Sequence, residues 1–301
     1  MTQGTSKADW IAVDWGTSNM RAWAMTTSGT VLAQASSDQG MVKLTRDGFE
    51  PALLAAVSDW VDGPTMVIAC GMVGSRQGWV EAPYVAVPCG TLPEGLVRAP
   101  TTHPDLTVHV IPGIKQTQPA DVMRGEETQI SGFLARNPGW DGVICLPGTH
   151  TKWVHVSADE VVSFQTFMTG ELFDTISRQT VLRHSIAPDG WDDSAFGEGL
   201  DMSLSRPERL AARLFSLRAN GLLNNLSGDA ARAQLSGLLI GAELAAAKPY
   251  WLGQQIAVIG DSGLSKRYVS ALATQSVSAT QVNASAITLA GLTVAYKRMK
   301  G

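Results

Sequence analysis

Cysteine is scarce in this chain, and long apolar runs and basic clusters are missing altogether. Cys70, Cys89 and Cys145 stand far apart in apolar or Pro/Gly surroundings. An odd, widely spaced set excludes a disulfide framework and a CxxC metal site, and it fits a reducing compartment. No apolar segment reaches the roughly 18 residues of a membrane helix, and the leading Met-Thr-Gln-Gly-Thr-Ser-Lys-Ala-Asp has no signal-peptide core. A cytoplasmic location is expected. The net charge is -4 with no run of Lys and Arg, which disfavours nucleic acid and leaves a small molecule as the expected partner. The five histidines show no metal-ligand spacing. Walker-A, Rossmann G-x-G-x-x-G and G-x-S-x-G signatures are all missing, so those phosphate sites and that hydrolase elbow are excluded.

What is present is an ordinary globular composition, 45% hydrophobic and 17% charged, arranged as strands that end in small-residue turns. Trp10 to Asp14 is an apolar run that reaches an aspartate, breaks at Gly16-Thr17-Ser18-Asn19 and resumes as an alternating strand to Met25. Such a hairpin tip suits phosphate: Gly16 admits close approach, and the next three residues offer hydroxyls, an amide and backbone N–H groups. Asp14 repels phosphate by itself and becomes useful if a hydrated Mg²⁺ sits between them. A third strand follows at Val31–Ala35, then a helix over 49–61 and a buried strand Met66–Cys70 feeding the loop Gly71 to Trp79. Pro83 to Pro104 lacks long regular structure. Leu106–Ile111 alternates as a strand, and Glu126–Ala135 carries a helical apolar face stopped by Asn-Pro-Gly.

The pattern then restarts. Gly142–Leu146 runs into Pro147-Gly148-Thr149-His150-Thr151-Lys152, a second strand-turn-strand unit with the same chemistry at its tip. A helix over 235–247, a strand over 255–259 entering Gly260-Asp261-Ser262-Gly263, and a small-residue helix over 284–296 complete the chain. Two similar lobes, each presenting a phosphate-binding turn, are expected.

Taken in order, these segments resemble the superfamily of sugar kinases, actin and heat-shock ATPases, and more closely the 2-dehydro-3-deoxygalactonokinase family. The matching stretches are Asp14 to Asn19, Gly71 to Ser75 with Gly78-Trp79 and Ala82 to Tyr84, Met123 to Gln129, Pro147 to His150 with Lys152-Trp153, Met168 to Leu172, and Leu235 to Glu243. The resemblance implies an α/β, two-lobed, actin-like (ribonuclease H-like) fold with mixed sheets, flanking helices and the active site in the interlobe cleft. Residues 1–135 with 285–301 form the expected first lobe and 136–284 the second. The implied activity is Mg²⁺-dependent phosphorylation of 2-dehydro-3-deoxy-D-galactonate at its 6-hydroxyl by ATP. A homo-oligomer is compatible with it.

Phosphoryl transfer needs a phosphate cradle, a metal, an acceptor for the attacking hydroxyl's proton, and exclusion of water. Asp14 would place the metal through water, with Gly16, Thr17, Ser18 and Asn19 on the phosphates. Gly148, Thr149 and Thr151 would form the opposing clamp, and Lys152 either adds charge or is a solvated strand residue. The resemblance puts the proton acceptor at the start of the interlobe helix, at Glu126 or Glu127. Neighbouring helical positions diverge by about 100°, so one of the two faces the cleft, and Glu126 is preferred. Both would also complement the helix macrodipole. Arg124 would hold the substrate carboxylate or bridge a glutamate. Ser75, Arg76 and Trp79 are candidates for the polyhydroxylated acid, Trp79 also for the core. Glu171 would bond substrate hydroxyls or cap a helix. Gly260, Ser262 and Gly263 would admit the adenosine. The rival readings are a kinase for another keto-deoxy acid or sugar and a serine hydrolase built on Ser262, which explains a single loop.

Overall fold

A computed structural model describes residues 7–301, so the part of the leader reading that rests on Met1 to Ser6 lies outside the described residues. Two compact units emerge. One comprises the chain up to Trp140, Ser157–Ser163 and Ala284–Gly301; the other comprises Asp141–Val156 and Phe164–Asn283.

The first unit opens with a meander, β1 (Trp10–Trp15), β2 (Met20–Met25) and β3 (Val31–Ser37). After α1 (Phe49–Val57) come β4 (Thr65–Gly71), the short strands β5 (Tyr84–Ala86), β6 (Cys89–Gly90) and β7 (Val97–Arg98), then β8 (Leu106–Val110). The main sheet runs β3-β2-β1-β4-β8-β7, with β1 antiparallel to β2 and parallel to β4. A hairpin, β9 (Gly113–Thr117) and β10 (Ala120–Met123), pairs with β5 and leads into α2 (Glu126–Arg136). The hairpin has no counterpart in the sequence reading.

β1 is buried on both faces, and its period of two sorts the core. Ile11, Val13 and Trp15 pack with Phe49 and Leu53 of α1, whereas Trp10 and Ala12 pack with Leu292 and Tyr296 of the C-terminal helix. Trp10 and Tyr296 stack with ring centroids 4.4 Å apart. That helix also crosses α2 at a backbone contact: a Cβ on Gly291 would stand 1.9 Å from the Thr128 carbonyl oxygen, and one on Gly132 2.0 Å from that of Ile287.

The second unit repeats the strand order. β11 (Gly142–Leu146), β12 (Thr151–Ser157) and β13 (Glu160–Phe167) are followed by α3 (Thr169–Gln179), α4 (Asp193–Ser205), α5 (Leu210–Leu223), α6 (Gly228–Ala246) and α7 (Lys248–Trp251). Then come β14 (Ile256–Gly260), α8 (Ser262–Ala273), β15 (Ala279–Asn283) and the C-terminal helix α9 (Ala284–Lys300). The order β13-β12-β11-β14-β15 matches β3-β2-β1-β4-β8 of the first unit, again with the first strand antiparallel to its hairpin partner and parallel to the next. The N-terminal end of β13, at Glu160 and Val161, pairs with β6 and is grouped with the first unit. Helix α6 starts a full seven residues before the apolar run at Leu235, because Ser227 caps it by accepting from the Ala230 N–H. Among the described residues no helix is long and apolar enough to cross a membrane.

The α2–α9 crossing is testable. Gly291→Ala should lower the melting temperature by several degrees, since overpacking costs about 1–3 kcal/mol. Gly197→Ala, inside α4 with open space around it, should raise it by about 1–3 °C through helix propensity. Differential scanning calorimetry of both variants checks the contrast; equal effects would contradict the close crossing.

Candidate active site

In the first unit β1 carries Asp14 to the edge of the core, its side chain 19% exposed. The β1–β2 register places Arg21 directly opposite, and Arg21 Nη2 donates to Asp14 Oδ2 at 2.5 Å while Nη1 bonds the Ser285 hydroxyl of α9. Beyond them the tip closes through Gly16 N–H to the Asn19 carbonyl at 2.9 Å, leaving Thr17, Ser18 and Asn19 exposed. Arg21 is absent from the sequence reading, although two opposite charges flanking a tight hairpin tip could have revealed it.

Helix α2 reaches this corner by backbone contact. Gly71, at φ +91°, ends β4; a Cβ there would lie 2.7 Å from the Trp15 carbonyl oxygen, and one on Gly125, at φ +103°, only 3.3 Å from Gly71 Cα. Both positions demand glycine for conformation, and Gly71 demands it for space as well. The first turn of α2 then folds its carboxylates back onto the preceding backbone. Glu126 Oε2 accepts from Arg124 N–H at 2.9 Å, Glu127 Oε2 from Gly125 N–H at 2.6 Å, and Glu127 Oε1 from the Thr128 hydroxyl at 3.0 Å. Glu126 is half-buried; Glu127 is wholly buried. Burial, aided by the Glu126 charge, pushes the Glu127 carboxyl up to about 8. The neighbouring Cys70 thiol is pushed well up by burial and by Asp14 and Glu127, and its Sγ lies 3.8 Å from Asp14 Oδ1.

Arg124, just before this helix, is 9% exposed. Its Nη2 donates to the Ala82 carbonyl at 2.7 Å and its guanidinium lies 4.3 Å from the Tyr84 ring centroid. Nε and Nη1 are buried with no hydrogen-bond partner, and so is Ser75 Oγ. Nη1 rests against Gly74, where a Cβ would come within 2.8 Å. Unpaired nitrogens on a buried cation are a costly arrangement unless an anion completes it, and the unpaired Ser75 hydroxyl follows Gly74 directly in the chain. Of the other loop candidates, Arg76 is exposed and Trp79 takes its packing alternative. The Trp79 indole is 4% exposed between Trp15 and Phe49, with its N–H bonded to the Pro100 carbonyl at 3.0 Å, which leaves no face for a sugar.

In the second unit Gly148, Thr149 and His150 form the tip between β11 and β12, with Thr149 and His150 exposed. The Thr149 carbonyl accepts from Glu171 N–H at 2.9 Å, and Glu171 Oε2 meets His150 Nε2 at 2.5 Å. Glu171 is therefore engaged with the tip itself. Thr151 corrects the expectation of a hydroxyl on phosphate: its side chain is fully buried and bonds Tyr268 OH at 3.0 Å, because β12 turns inward one residue past the tip. Lys152 is buried rather than a solvated strand charge. Asp261 caps α8 by accepting from Gly263 N–H at 2.9 Å, and Ser262 is the exposed first residue of that helix. In that turn the aspartate serves the helix end, which is the ordinary explanation of Asp-Ser-Gly and removes the basis of the hydrolase reading.

Within this unit a cavity of about 420 Å³ is lined by both turns, Gly148-Thr149 and Asp261 with Gly263, and by Thr169, Gly170, Phe173, Leu239, Arg267 and Tyr268. Gly260 lies behind it, with a Cβ there 2.6 Å from Ser265 Oγ. Arg267 stacks on Trp191 at 3.7 Å. Arg267, Thr169 and Tyr268 were not singled out from sequence; α8 and the start of α3, remote from each other in the chain, supply them.

Two units of one strand order, each with a glycine-threonine turn after its first strand, form an actin-like fold, and the chain's relatives make the class a phosphotransferase. The 2-keto-3-deoxy-galactonokinase family model matches residues 14–295, and the chain belongs to that family. It is similar to a Rhizobium meliloti protein named as a probable 2-dehydro-3-deoxygalactonokinase, at 41% identity over 97% of this chain and 98% of the relative. A 2-dehydro-3-deoxygalactonokinase of Escherichia coli K12 is 33% identical over 88% and 89% of the two chains. The crystal structure of a candidate 2-dehydro-3-deoxygalactonokinase from Sinorhizobium meliloti superposes with a TM-score of 0.89 at 38% identity, covering 96% of each chain.

The Glu127 carboxyl sets a pH dependence. Its folded value lies above the unfolded 4.5, so its stabilising contribution is complete below 4.5 and is lost as pH rises through about 8. Glu127→Gln should therefore gain melting temperature relative to the parent, by several degrees across that window. A constant difference between pH 4.5 and 9 would show that Glu127 does not hold a proton in the folded protein.

Proposed function

We propose that this chain transfers the γ-phosphoryl group of ATP to the 6-hydroxyl of 2-dehydro-3-deoxy-D-galactonate, with Mg²⁺, in the cytoplasm. The observation that carries the choice of an acid is the buried Arg124–Ser75 corner. The Arg124 guanidinium, unpaired at Nε and Nη1, offers charge-assisted donors to a carboxylate, and the unpaired Ser75 hydroxyl is available to a keto or hydroxyl oxygen. A neutral sugar would leave the buried cation uncompensated.

The second unit's cavity takes the nucleotide, with Gly148 and Thr149 on its phosphates and Gly263 beside the adenosine. In the first unit the exposed Thr17, Ser18 and Asn19 carry donors of the kind that phosphate takes. Among the described residues no cluster of three or more His, Cys, Asp or Glu could hold a metal ion, so Mg²⁺ would rest on phosphate oxygens, water and the Asp14 carboxylate, as that ion ordinarily does. Bound there, it neutralises charge on the transferring phosphoryl group. The Asp14–Arg21 pair fits such a duty, because Arg21 fixes the orientation of Oδ2 while the carboxylate edge stays open to solvent.

Glu126 accepts the proton of the attacking 6-hydroxyl as the O6–phosphorus bond forms and the bond to the β-phosphate oxygen breaks, releasing ADP. Its partial exposure supports this assignment, whereas the buried Glu127 serves the start of α2. Steady-state kinetics with a coupled ADP assay test the reading. Arg124→Lys should raise KM for the acid roughly 10–100-fold with KM for ATP unchanged, since a charge-assisted hydrogen bond is worth about 1.5–3 kcal/mol. Glu126→Gln should lower kcat about 10²–10⁴-fold. Faster turnover with a different keto-deoxy acid would replace the substrate, and a normal kcat in Glu126→Gln would remove the proposed base.

A further inference from the structure

Beneath the Gly148–Thr149 turn lies a carboxylate that phosphoryl transfer does not use. Glu243, on α6, is 3% exposed. Its Oε1 accepts the Trp153 indole N–H at 2.8 Å, and its Oε2 accepts the Tyr268 phenol at 2.7 Å and the Thr169 hydroxyl. Tyr268 OH also meets Thr151 Oγ1 at 3.0 Å.

These donors come from the segments that build the turn. Thr151 and Trp153 belong to β12, which leaves it directly. Thr169 begins α3, and the next residue, Gly170, is pressed so closely on the turn that a Cβ would stand 2.2 Å from the Gly148 carbonyl oxygen. Glu171 N–H then holds the Thr149 carbonyl. Tyr268 reaches in from α8, and with Thr169 it forms part of the cavity wall shared with Gly148 and Thr149. One side chain thus ties the exit of the turn, the helix that braces it and the opposite wall to a single point. Burial pushes the Glu243 carboxyl up to about 7 against the pull of its donors, so holding an acid at this position costs stability that an apolar residue would not.

We propose that Glu243 is a positioning residue for nucleotide binding, holding the Gly148–Thr149 turn against α3 and α8 in the geometry that receives phosphate. The inference rests on the reading that this cavity takes the nucleotide.

The test is calorimetric titration of full-length protein with Mg·ADP, together with separate KM values for ATP and the sugar acid. Glu243→Leu removes the acceptor and should weaken Mg·ADP binding about 10–100-fold, with KM for ATP rising in parallel and KM for the acid staying within twofold. Glu243→Gln should bind within about fivefold of the parent, because its amide oxygen accepts from Trp153 and the two hydroxyls rotate to accept from its NH₂. Tyr268→Phe removes one donor and should weaken binding about 3–10-fold; it carries the test alone if Glu243→Leu does not fold. Parent-like Mg·ADP binding in the folded variants overturns the inference and leaves the nucleotide reading intact, and so does an equal rise of both KM values. Failure of the parent to bind Mg·ADP overturns both.

Discussion

Backbone-to-backbone contact at Gly71 and Gly125 is the constraint on which the first unit's site depends. A kinase for an acid must bring a cation for the substrate, a carboxylate for its proton and a carboxylate for the metal to one corner. On the proposed reading these are Arg124, which follows β10, Glu126, which opens α2, and Asp14 of β1. Because neither glycine has a side chain, α2 can begin against the end of β4, beside Asp14. Any larger residue would push the helix start outward and take Arg124, Glu126 and Glu127 with it. The α2–α9 crossing applies the same device further along, at Thr128 and Gly132, so that the first turn and the middle of α2 are fixed by close approach.

Crowding carboxylates raises a second problem, since the substrate and nucleotide add further negative charge. The structure relieves it by neutralising different groups in different ways. Asp14 is paired with Arg21; Glu127, sealed from water, holds its proton to about 8; Cys70 is kept well above its ordinary range and stays a thiol. Glu126 remains half-exposed. Two adjacent residues of identical type thereby stand in different surroundings, and burial, aided by the Glu126 charge, keeps the proton on Glu127.

This division explains what was legible in the sequence. The turns at Gly16–Asn19 and Gly148–Thr149 announce themselves because small polar residues interrupt apolar strands, and the start of α2 because two acids follow a glycine. Local pattern suffices for such features. It cannot tell which way a side chain turns, so Trp79 and Thr151, each in a loop or at a strand start beside real site elements, point into the core instead. Nor can it join distant segments. Arg21 becomes visible once the hairpin register is known, and Glu243 was a charge in an apolar helix with no assigned duty until Trp153, Thr169 and Tyr268 converged on it. Between 186 and 233 the chain forms α4, α5 and the start of α6; Phe196 and Leu200 of α4 join the core under the sheet, and Leu217 of α5 packs with Ala231 and Leu235 of α6.

The two units solve opposite electrostatic tasks with the same strand order. The first leaves a buried cation incompletely bonded, which favours an anion as the missing partner. The second does the reverse and satisfies a buried carboxylate completely with three neutral donors, so that nothing remains for a ligand and the group acts through the backbone it holds. An unsatisfied group selects a ligand because binding removes a penalty already present in the free protein. A satisfied one confers stiffness, because moving any attached segment breaks a bond to charge. On the proposed reading, recognition of the sugar acid and positioning of the nucleotide draw on the same interaction, used unfinished in one unit and finished in the other.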